Sequence, residues 1–147
     1  MYPAIERICS TLRAGEDVSA WLSRKLETDK RNPRADMMFN DWQITHFHLG
    51  RAFGKPNMIS GTNDLLYAHV SSEFVTLLDV LPHGRWAAQD LLRILLETRP
   101  ETMERFELKN GHGQTLTDDE LKALRANGYN VAVVVSGRTF LAGGAGP

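Results

Sequence analysis

The amino-acid sequence predicts an α+β fold from three observations. Two apolar runs, "DLLYAHV" and "FVTLLDVL", lie only "SSE" apart, and so short a link forces antiparallel pairing. The segment "WAAQDLLRILLETR" places Leu91, Leu92, Leu95 and Leu96 on one helical stripe. Helical patterns flank the strands instead of alternating with them, which separates α+β from a parallel α/β sheet.

The elements follow in order. "YPAIERICSTLRAG" begins with a proline suited to a first helical turn, repeats Ile5, Ile8 and Leu12 at helical spacing, and stops at Gly15. "EDVSAWLSRKL" reads as a second helix with Val18, Trp21, Leu22 and Lys25 on one face, giving an N-terminal helical hairpin. The polar, proline-broken "ETDKRNPRAD" is a loop. Asp41 is a turn or cap residue. From Trp42 the period is two, so residues 42–49 read as a strand, with Trp42, Ile44, His46 and His48 on one face and Gln43, Thr45, Phe47 and Leu49 on the other. "GRAFGKPNMISGTN" is a long loop.

Strands over 64–70 and 74–81 complete a three-stranded or larger antiparallel sheet. Pairing Val70 with Phe74 puts Leu66, Ala68 and Val70 on the face of Thr76, Leu78 and Val80. Both faces are apolar, which predicts a sheet centre covered on both sides, with Asp79 as a buried carboxylate in need of a partner. The helix 86–98 is expected to pack on this sheet. Thr117 and Glu120 form a capping box before a helix ending at Gly128, and "NVAVVVSGRTFLA" is a hairpin turning at Ser136–Gly137. The expected organisation is a single domain, 1–147, with a main α+β core over 1–100 and a small helix-plus-hairpin appendage over 115–142.

Composition narrows the function classes. The chain has 147 residues, of which 42% are hydrophobic and 24% charged, ordinary values for a globular protein able to bury a core. A formal net charge of −1 gives no bulk attraction to nucleic acid, so RNA binding would require a local basic patch. A lone cysteine, Cys9, forms no intrachain disulfide, and no run approaches the length of a membrane span. These features predict a cytoplasmic protein without membrane association. They do not give an oligomeric state.

The chemistry-bearing residues cluster in two short stretches. In "DWQITHFHLGR", His46 and His48 are two apart on a strand, so their side chains point the same way with Cα atoms about 7 Å apart. Two imidazoles so placed suit acid–base work on a phosphate, or chelation of a metal, because histidine changes charge near neutral pH. They also suit a core with satisfied nitrogens. In "LPHGRW", His83 follows the third strand. First and third strands of a meander run the same way, so His48 and His83 end at one edge, with Arg51 and Arg85 just beyond as candidate oxyanion or phosphate ligands. His69 falls at the opposite end, Tyr67 reads as core, and His112 sits between loop glycines without a role. The glycine-rich loop with Arg51 and Lys55 matches no established phosphate-binding fingerprint. No G-x-S-x-G, H-E-x-x-H or paired C-x-x-C pattern is present. No cofactor and no resident metal are expected.

Over roughly residues 1–100, the order of N-terminal helices, antiparallel meander and strand-end His and Arg resembles the RelE-type and barnase-like ribonuclease toxins in architecture. No family-specific motif is matched. The stretches "DWQITHFHLGR", "DLLYAHV" and "VTLLDVLPHGRW" are also similar to the core of an uncharacterised bacterial or phage family. The toxin resemblance implies a metal-independent endoribonuclease with an RNA substrate and a small antitoxin-like protein partner. His46 or His48 would be the base, His83 the acid, and Arg51 and Arg85 the groups stabilising charge. The chain departs from RelE-type toxins in being longer and not basic. Two other readings stand beside it: a non-enzymatic interaction factor of immunity, antitoxin or phage type, and a metal-binding protein using His46, His48 and His83.

Overall fold

The structure is a computed structural model, and it describes residues 2–22, 37–50 and 63–143. Within these, mixed helices accompany a three-stranded antiparallel sheet and a two-stranded hairpin, the α+β class expected. The described residues fall into two compact units: 2–22, 45–50 and 63–84 form the first, and 37–44 with 85–143 form the second.

In the first unit, helix α1 (Pro3–Arg13) starts at a proline whose missing N–H costs nothing there, and Gly15 follows it at φ 67°. Of the second helix read from sequence, the described part is a single 3₁₀ turn, Ser19–Trp21, held by an Asp17 carboxylate that accepts from the Ser19 amide and hydroxyl. Residues 23–26 of that expected helix lie outside the described residues.

Strands β1 (Ile44–His48), β2 (Asp64–Val70) and β3 (Val75–Pro82) lie in the order β1-β2-β3. One face carries Phe47, Leu49, Leu66, Ala68, Val70 and Val80, against which α1 lays Ala4, Ile5, Ile8 and Leu12. Burying such a face is the main stabilising contribution in the unit, at about 25 cal/mol per Å² of apolar surface.

Three details of this sheet differ from expectation. Val70 pairs with Val75, not Phe74, and Leu78 is an extra residue opposite the Tyr67–Ala68 step. That bulge restores Leu66 and Val80 to a shared face, while Val75 and Leu77, not Thr76 and Leu78, lie opposite Val70 and Ala68. β3 ends the described sheet and is not its centre: Phe74, Val75 and Leu77 are exposed, and the central strand is β2. Asp79 is likewise exposed and accepts from the Val80 amide, so it needs no buried counter-charge.

In the second unit, Asp41 and Trp42 do not open the strand. They end helix α2 (Met37–Trp42), and Gln43 at φ 59° turns the chain before Ile44. Trp42 is core, edge-on to Phe106 at 5.2 Å. Helix α3 (Gln89–Thr98) buries Leu91, Leu92, Leu95 and Leu96. The compact division places α3 with the C-terminal elements, where it meets strand β4 (Val133–Val135).

A short helix α4 (Pro100–Met103) follows, then helix α5 (Asp118–Ala126) with the capping box of Thr117 and Glu120 formed in both directions. β4 pairs with β5 (Arg138–Phe140) through Ser136 at φ 50° and Gly137 at φ 75°, the left-handed pair that a tight two-residue hairpin requires. Among the described residues no helix is long and apolar enough to cross a membrane.

Candidate functional site

The sheet face opposite α1 carries the histidines. Alternation along β1 sends Phe47 to the α1 core and leaves His46 and His48 together on the other face. Their rings meet edge-on with centroids 5.8 Å apart. On the neighbouring central strand, Tyr67 is buried and its ring centroid is 5.9 Å from that of His46. Three rings thus share one face of the first unit.

His83 follows β3. Its amide donates to the Asn63 carbonyl, which carries the ladder one residue past the strand, and Gly84 at φ 90° then turns the chain. Because the sheet is antiparallel throughout, β1 and β3 run the same way on either side of β2, so His48 and His83 end at one edge. They are close enough for His83 to influence the ionisation of His48. His83 itself is exposed.

His48 is the unusual member of this group. Its Nδ1 atom is shut away from solvent without a hydrogen-bond partner. The imidazole is held below its ordinary pKa, first by burial and then by the charges of His46 and His83. The neutral form of the ring is therefore favoured more than in a free imidazole.

The remaining sequence candidates have other positions. Arg51 lies outside the described residues. Arg85 belongs to the second unit, where its guanidinium donates to Asp118 at 3.2 Å. The same carboxylate accepts from the Gln89 backbone amide at 3.1 Å. Ala88, at the N-cap of α3, has no side chain able to cap, and Asp118 supplies that oxygen from another helix. Arg85 is thus an ion-pair partner of a capping carboxylate. His69 is buried. His112 is exposed.

Among the described residues no group of three or more His, Cys, Asp or Glu side chains is arranged to hold a metal ion, so His46, His48 and His83 do not form the ligand set that the metal-binding reading requires.

The sequence reading missed one buried polar pair. Asp41, read as a turn residue, accepts from Arg125 Nε at 2.9 Å and from Arg125 Nη2, while Arg125 Nη1 donates to the Tyr129 carbonyl at 3.0 Å. Both side chains are buried, beside a small pocket lined partly by Met38, Trp42, Leu92 and Leu121. The partners are 84 residues apart, and neither stretch carries a local signal that would join them.

No protein-family model matches the chain, and no curated protein or solved structure is significantly similar to it.

Proposed function

We propose that the first unit is a metal-independent endoribonuclease acting through histidine acid–base chemistry. The observation that supports it most is the ring cluster: two strand imidazoles on one face, one with its protonation disfavoured by burial, and a third, exposed imidazole ending at the same edge. In this reading a neutral imidazole of His46 or His48 takes the proton of the RNA 2′-hydroxyl. O2′ attacks phosphorus, the P–O5′ bond breaks, and protonated His83 supplies a proton to the leaving 5′-oxygen. The products are a 2′,3′-cyclic phosphate and a 5′-hydroxyl. Arg51 keeps its proposed role of stabilising phosphorane charge; Arg85 is engaged by Asp118 at 3.2 Å.

The test is cleavage of a labelled RNA in the presence of a chelator. His46→Ala and His83→Ala are each expected to slow cleavage by about 10²–10⁴-fold, the usual contribution of a general acid or base, without loss of folded signal by circular dichroism. RNA left intact by wild type, or cleavage abolished by the chelator, defeats the proposal.

One observation favours a second reading, a protein-interaction factor. β3 ends the described sheet, and Val75 and Leu77 on it, with Phe74 just before it, are exposed apolar side chains that an added strand from a small protein partner could cover, with the exposed Asp79 as the charge beside them. Such a protein would bind its partner equally well after His46→Ala and His83→Ala.

A further inference from the structure

The orphan nitrogen of His48 fixes which proton the ring can offer. A neutral imidazole carries one N–H and one bare nitrogen. Nδ1 is buried and meets no partner, so a proton there would be a donor without an acceptor. Buried acceptors that go short are tolerated better in proteins than buried N–H groups that do. The bare nitrogen therefore belongs inside, at Nδ1, and the proton at Nε2. With Nδ1 closed off, Nε2 is the nitrogen a ligand could meet.

A ring in that state is poorly suited to take a proton from a hydroxyl. Its accessible nitrogen is already protonated, and exchanging the proton between nitrogens would bury the N–H. It is well suited to donate a hydrogen bond to an oxygen that carries or gains negative charge. His46, beside it at 5.8 Å between ring centroids, bears no such buried orphan.

We propose that His48 is a fixed neutral Nε2–H donor for an anionic phosphoryl oxygen and that His46, not His48, is the proton-abstracting imidazole. The donor role rests on the RNA-cleaving reading above; the tautomer does not. The step needs no further reactant: the 2′-hydroxyl proton goes to His46, and His48 keeps its proton while its hydrogen bond shortens onto the phosphorane oxygen as charge builds there.

Two measurements test this. The first uses the full chain labelled with ¹⁵N in histidine and unbound. A long-range ¹H–¹⁵N correlation spectrum near neutral pH, with the His48 signals assigned by their loss in His48→Gln, should show the proton on Nε2. A proton on Nδ1 overturns the inference, whatever the protein does to RNA. The second compares His48→Gln with His48→Asn in RNA cleavage. The glutamine amide can place an N–H near the position of Nε2, whereas the asparagine amide lies near Nδ1. His48→Gln should lose no more than about tenfold, and His48→Asn about 10²–10³-fold, the usual cost of removing one donor to a developing oxyanion. Equal losses in the two variants overturn the donor role. Wild type that leaves RNA intact defeats the cleavage reading instead, and the spectrum still decides the tautomer.

Discussion

Asp41 and Arg125 in the second unit and His48 in the first are polar side chains withdrawn from water, and the two units treat them in opposite ways. The carboxylate and guanidinium meet through two parallel hydrogen bonds, and the third guanidinium nitrogen finds the Tyr129 carbonyl. Among the described residues, His48 Nδ1 is the buried side-chain polar atom with no partner. A satisfied buried pair is what a structural role requires, because each group cancels much of the other's desolvation cost. An orphan beside two other imidazoles does nothing for stability. In the proposed cleavage reading, the rest of that ring serves a ligand instead.

The largest effect should come from breaking the satisfied pair. Arg125→Ala leaves the Asp41 carboxylate buried without a counter-charge, and unfolding in urea should show a loss of about 3–5 kcal/mol. Replacing both members, as in Asp41→Leu with Arg125→Met, should restore most of that loss, because no uncompensated charge remains. A single substitution costing under about 1 kcal/mol would show that water reaches the pair, and the contrast between the units would fail.

An apolar substitution in the same unit gives the scale for that number. Leu92 is buried on α3 and lines the pocket beside the ion pair with Met38, Trp42 and Leu121. Leu92→Ala removes buried methyl groups and leaves a cavity, for an expected loss of about 2–5 kcal/mol by the same urea titration. A loss near the bottom of that range would mean that the neighbouring side chains collapse into the space.

These two sites also show what the sequence could and could not reveal. The leucine stripe of α3, the strand over 64–70, the Thr117–Glu120 box and the Ser136–Gly137 turn are local patterns, and each was legible because its cause lies within a few residues. The Trp42–Ile44–His46–His48 alternation was legible too, but it ran two residues too far. A six-residue helix is too short to impose a period of its own, and the turn at Gln43 is set by a positive φ that glutamine does not announce. The Leu78 bulge shifts the register by one residue, invisible in a run of apolar residues where either face is acceptable. At the candidate site, the co-facial His46 and His48 followed from period two. The orphaned Nδ1 did not, since it depends on what surrounds the ring. The Asp41–Arg125 pair spans 84 residues and leaves no periodic trace.

An exposed satisfied polar contact should count for less than the buried pair. Thr117 accepts from the Glu120 amide at 3.2 Å, and Glu120 reaches back to the Thr117 amide at 2.8 Å, both in exposed surroundings. Thr117→Ala removes half of this box and should cost about 1 kcal/mol. A cost matching that of Arg125→Ala would make burial irrelevant to the comparison.

The smallest effect isolates the unsatisfied side of the contrast. His48 is held below its ordinary value of 6.5 by burial first and by His46 and His83 after it. Between that ordinary value and the lower folded one, the unfolded chain binds a proton at His48 that the folded chain refuses. Stability therefore rises with pH through this window. The contribution is fully present above about pH 6.5 and is lost as pH falls through the folded value. His46, His83 and the buried Tyr67 share the face of this ring or its edge, and the two histidines oppose its protonation. The diagnostic is thus a difference between variants and not the raw slope. Urea titrations of wild type and His48→Gln, near pH 7.5 and near pH 5.5, should show a smaller acid-induced loss in the variant. His83→Gln, which removes a charge opposing protonation of His48 but leaves the ring buried, should reduce the loss by less. An acid-induced loss unchanged by His48→Gln would mean that the ring is solvated or partnered after all. The first unit would then handle its buried polarity as the second does.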